Sequence, residues 1–109
     1  AFPAAERELN SVQRKMPEID EQLSQLLVNF VQRLRKEDLF KLPGIAETLD
    51  WAAALVQLDQ IALDPTTIDG TLGTLLKYQD DIAKIRGSEA ARILEEVKLQ
   101  ISVSQPRRG

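Results

Sequence analysis

The chain is 109 residues long, 43% hydrophobic and 28% charged, with a net charge of −3 and a pI near 5.0. That length holds one domain and one modest core, and the acidic balance gives no pull toward nucleic acid or anionic membrane. Neither cysteine nor histidine is present, which removes disulfides, thiolate chemistry, zinc–sulfur and histidine metal sites, and Ser/His/Asp or Cys/His nucleophile systems.

Residues 4–15 read as a first helix, with Leu9, Val12 and Met16 on one side and Pro17 ending it. The second is the clearest. Ile19, Leu23, Leu26, Leu27, Phe30, Val31 and Leu34 follow an i, i+3, i+4, i+7 pattern, Asp20 stands at the N-cap, and Arg33, Arg35 and Lys36 crowd the end. Such a cluster can touch a phosphate, but cations suit a helix C-terminus in any case. The segment 37–44 is a connector whose Leu39, Phe40 and Leu42 are expected to tuck against the core.

"KLPGIAETLDWAAAL", residues 41–55, then breaks the chain at Pro43-Gly44 and starts a third helix over 46–58. This helix is apolar nearly all round and is expected to be central, with Trp51 filling core space. Helix starts favour anions, but Glu47 and Asp50 would repel one. Their plainer reading is first-turn charge suited to the dipole. Asp64-Pro65 opens a fourth helix as N-cap and N1, with Ile68, Leu72, Leu75 and Leu76 inward. Its Gly70 and Gly73 point to a close helix–helix contact or a weak helix. Residues 78–85 continue helically with Ile82 and Ile85 inward. Arg86-Gly87-Ser88 is a break with Ser88 able to cap the last helix, 89–103, which carries Ile93, Leu94, Val97 and Ile101. Residues 105–109 form a polar, frayed tail.

No segment reads as a strand, so the expected fold is all-α, a bundle of five or six helices in one domain over 1–104. There is no GxxxxGKS/T phosphate loop and no GxGxxG. The acidic pairs Asp80-Asp81 and Glu95-Glu96 sit about 100° apart on a helix and read as solvated charge, not as converging catalytic groups. No apolar run approaches the ~20 residues of a membrane helix, and no signal-peptide pattern opens the chain. The expected location is cytoplasmic, with neither nucleic acid nor membrane as a partner. The opening Ala-Phe-Pro, without methionine, reads as part of something longer.

In order, "FPAAERE", "FVQRLRKEDLFKLPGIAETLDWAAAL", "LDP" and "DGTLGTLLKYQDDIAKI" resemble the C-terminal helical lid of MoxR-type AAA+ ATPases, in the branch associated with carbon monoxide dehydrogenase maturation. The likeness covers residues 2–86. It implies a lid-type bundle whose Walker A, Walker B and sensor 1 segments precede residue 1. The fragment would then bind no cofactor of its own, while the parent uses ATP and Mg²⁺. The implied partners are the parent's own AAA+ core, neighbouring subunits of a ring, and a protein client or von Willebrand factor A-type adaptor. The implied nucleotide-proximal region is Pro43, Gly44, Ala46, Glu47, Thr48 and Asp50. Glu47 falls where many lids carry the sensor 2 arginine, and a carboxylate cannot stabilise phosphate charge. The alternative is a stand-alone helical interaction module, docking a partner helix through Arg33–Lys36 or the 39–42 connector.

Overall fold

The computed structural model describes residues 2–104; the expected tail, 105–109, lies outside them. Six helices fold together, with no strand among the described residues: α1 (Ala5–Lys15), α2 (Glu21–Leu34), α3 (Ile45–Gln57), α4 (Pro65–Leu75), α5 (Gln79–Ile85) and α6 (Ser88–Ser104). The expected all-α bundle is what forms, in its six-helix version.

Local chemistry sets most of the boundaries. Asp20 accepts from the Leu23 amide at 3.0 Å, and Asp64 accepts from the Thr67 amide at 2.7 Å. Each satisfies one of the amides that a helix start leaves without an intrahelical partner. The end of α3 closes with Gln60 N–H on the Leu55 carbonyl and Asp59 N–H on the Val56 carbonyl, both at 3.0 Å. That is a Schellman turn, and it puts Asp59 at φ 55°. Between α4 and α5, Leu76 turns extended (φ −112°, ψ 133°), so α5 is a separate short helix and not a continuation. Before α6 the capping residue is Gly87, whose carbonyl accepts from the Ala91 amide at 3.1 Å; Ser88 is already helical.

The core lies between α2, which packs on α1, α3 and α6, and α3, which also packs on α1 and α4. Leu23, Leu27, Phe30, Val31 and Leu34 of α2 meet Val12, Trp51, Leu55, Ile68, Leu72 and Ile93 in one apolar cluster. Trp51 fills core space as expected. Its ring lies 5.5 Å from that of Phe30, and its indole N–H donates to the Thr71 hydroxyl at 2.7 Å. As expected, α3 is central, and it shares that place with α2. Four of its residues are alanines, which bring little area to bury, and of these Ala46 is exposed.

The structure decides one open alternative and corrects one expectation. A Cβ built on Gly70 or Gly73 meets nothing within 4 Å, so these glycines mark a weak helix and not a close contact. In the connector, Leu39 and Leu42 are half-buried, but Phe40 is 76% exposed. Asp81 explains it. This carboxylate is buried, and it accepts from the Phe40 amide at 2.9 Å and the Lys41 amide at 3.1 Å. The backbone is held inward and the ring turns out.

Candidate functional site

The start of α3 is built by the chain around it. Pro43 is buried and its carbonyl accepts from Arg35 Nε at 2.7 Å. Gly44 is the N-cap and has no side-chain oxygen to offer, so Glu47 supplies the cap from the other end. Its Oε1 accepts from the Gly44 amide at 2.8 Å, the N3-to-N-cap half of a capping box. A Cβ on Gly44 would stand 3.3 Å from that same oxygen, which favours glycine here. Thr48 is buried, donates to the Gly44 carbonyl at 3.1 Å and accepts from Arg35 Nη2 at 3.3 Å.

Arg35 is the centre of this assembly. Its Nη1 and Nη2 reach Glu8 Oε1 and Oε2 at 2.9 and 2.6 Å, a two-pronged ion pair with side chains 6% and 0% exposed. Gln32 Nε2 also donates to Glu8 Oε1 at 2.7 Å and to the Pro3 carbonyl at 3.2 Å. The guanidinium lies 4.6 Å over the Phe2 ring. One arginine therefore joins the entering chain, α1, α2, the connector and α3. Burying both charges is costly, and paired, hydrogen-bonded geometry of this kind is what offsets the cost.

A cleft of about 230 Å³ opens beside this assembly, between the connector and α3 start on one side and the α4 end on the other. Pro43, Glu47 and Asp50 line it, with Lys41, Leu76 and Lys77. Of the six residues that the resemblance singles out, these three share the cleft. Gly44 and Thr48 lie behind it as support, and Ala46 is exposed outside its lining. The charges on the lining are Lys41 and Lys77 against Glu47 and Asp50, so they sum to zero. That balance does not concentrate phosphate, and the residues present do not by themselves fit an ATP site. Among the described residues, no buried side-chain nitrogen or oxygen lacks a partner, and no cluster of acidic residues is placed to hold a metal.

The basic end of α2 is occupied too. Arg33 bonds Glu37 at 2.6 Å and Glu96 at 2.7 Å. Those bonds, that with Glu37 first, raise its pKa above the ordinary arginine value. With Arg35 committed to Glu8, two of the three cations expected at this end are spent on internal partners.

Sequence reasoning missed Glu8, Gln32 and Asp81 as structural polar groups. A signal existed for two of them. Glu8 stands one turn before Val12, and Asp81 one turn before Ile85, each on the inward stripe of its helix. The reading of Asp80-Asp81 as solvated charge holds for Asp80, which is exposed, and fails for Asp81. No protein-family model, curated protein or solved structure matches the chain.

Proposed function

We propose that this chain is the C-terminal lid of a MoxR-type AAA+ ATPase. ATP binding and hydrolysis in the larger parent would drive remodelling or maturation of a partner protein, such as a metalloenzyme or a von Willebrand factor A-type adaptor. The supporting observation is the coupling through Arg35. A lid must pass movement from the core that precedes it to the helix start facing the nucleotide. Here Phe2, Pro3 and Glu8 are tied through Arg35 and Gln32 to Pro43 and Thr48. Glu47, standing where an arginine is usual, is engaged as a cap. On this reading the α3 start acts through its position and not by charge contact with phosphate. ATP and Mg²⁺ belong to the parent's core, in the cytoplasm.

The test has two parts. The coding region upstream of Ala1 is expected to encode, in frame, a phosphate loop and an Asp-Glu motif. The isolated chain mixed with ATP and Mg²⁺ is expected to show no turnover. A start codon directly before Ala1, or robust turnover by the fragment, would sink the proposal, and the former would favour the interaction module.

A further inference from the structure

Phe40 is the most exposed of the aromatic rings, and neither the core nor the cleft absorbs it. A large apolar ring in a loop ordinarily folds inward, yet this one is 76% exposed. Its position is enforced. Asp81 holds the Phe40 and Lys41 amides from below, and Lys84 Nζ holds the Asp38 carbonyl at 2.6 Å. The ring meets Tyr78 edge to face, with centroids 6.2 Å apart and planes at 65°, and Tyr78 is itself 49% exposed.

These two rings, with Gln79 and Asp80, line a surface hollow of about 500 Å³. Asp80 is the only charged residue on that lining, and among the described residues it makes no ion pair within 4 Å. Lys41 and Lys77 line the neighbouring cleft instead. Asp80 and Asp81 in the first turn of α5 outweigh the partial positive charge of so short a helix. The hollow thus presents two aromatic surfaces at a steep angle and one free carboxylate, on a chain of net charge −3.

We infer that this hollow binds an arginine side chain presented by a basic segment of a partner protein. A guanidinium is planar and weakly hydrated, so it stacks on an aromatic face while directing N–H groups at a carboxylate. Aromatic rings beside a carboxylate complement it on both counts. Lysine fits less well, because its compact ammonium holds its water more tightly. The inference stands on the hollow alone and applies equally to a lid and to a free-standing module.

The test is an NMR titration of the 109-residue chain with the peptide acetyl-Gly-Arg-Gly-amide. Tyr78 is the only tyrosine, so its ring signals report on the hollow without overlap from another. Saturable shifts are expected at Phe40, Tyr78, Gln79 and Asp80, and none at these residues with acetyl-Gly-Glu-Gly-amide. Phe40→Ala is expected to weaken binding about threefold, the size of an exposed cation–π contact. Asp80→Asn is expected to weaken it about twofold and to remove most of its salt dependence. Both side chains are exposed, and unchanged thermal melting of each variant verifies that the fold is intact. Absence of a saturable response, an equal response to the glutamate peptide, or full affinity in both variants overturns the inference.

Discussion

Glu8 and Arg35 are the pair on which the most other contacts depend. Removing either charge leaves the other buried without an opposite charge, so Glu8→Ala or Arg35→Ala is expected to cost about 3–5 kcal/mol in urea unfolding. Replacing both by methionine should cost clearly less than the two single losses added together, because no charge is then stranded. It should not reach neutrality, since the Pro43 carbonyl loses its donor and the Gln32 amide one of its two acceptors. Arg35→Lys is expected to rescue little, as one ammonium cannot span both Glu8 oxygens and the Pro43 carbonyl. Additive single losses in the double variant would mean that the ion pair is not the coupled unit the distances describe. None of this was legible in the residues around Arg35. In sequence it is one of three cations at a helix end, which the dipole accounts for. Only the approach of α1 to α2 and α3 brings Glu8 beneath it.

At the scale of the element, the helices were legible because their start signals are local. Asp20 and Asp64 cap the helices that their positions predict, and the apolar stripes of α2 and α6 face inward. What local signals did not show was which helices the apolar faces of α2 and α3 would meet. The glycines divide by what surrounds them. Gly70→Ala and Gly73→Ala in α4 meet open space and should each stabilise by about 0.5–1 kcal/mol. Gly87→Ala must adopt φ +86° and should destabilise by about 1–2 kcal/mol. Thermal melts of the three variants check both signs together. Asp64 ties α4 to pH. The Thr67 backbone amide, followed by the Thr67 side chain, holds its carboxyl below the ordinary value of 3.8. A lowered folded-state pKa gives stability that is complete above the unfolded value and lost as pH falls through the folded one. Asp64→Asn removes the titration, so the wild type's advantage over this variant should shrink as pH is lowered toward about 2. A constant gap across that range would show that the Asp64 cap does not depend on its charge.

For the whole molecule, the fold could be read from periodicity, but the cleft could not. It forms where residues 41–50 meet residues 73–77, and no pattern along the chain marks that meeting. The importance of Pro43, Glu47 and Asp50 rested on resemblance alone. The structure adds a reason to test Glu47 in the proposed ATPase parent. Glu47→Arg removes the acceptor of the Gly44 amide, a loss of about 1 kcal/mol in a half-exposed cap, and reverses a charge on the cleft. In an ATPase parent, nucleotide affinity or turnover should change by more than that small loss of stability explains. Unaltered binding and turnover would place this helix start away from the nucleotide.

The Arg35 junction also sets how the molecule carries load. Force applied at Phe2 does not have to unwind α1 before it is felt elsewhere. The Gln32 bond to the Pro3 carbonyl and the stacked Phe2 ring pass it into α2, and Arg35 passes it on to Pro43 at the threshold of α3. The entering chain and the α3 start are thus tied to each other through one buried guanidinium.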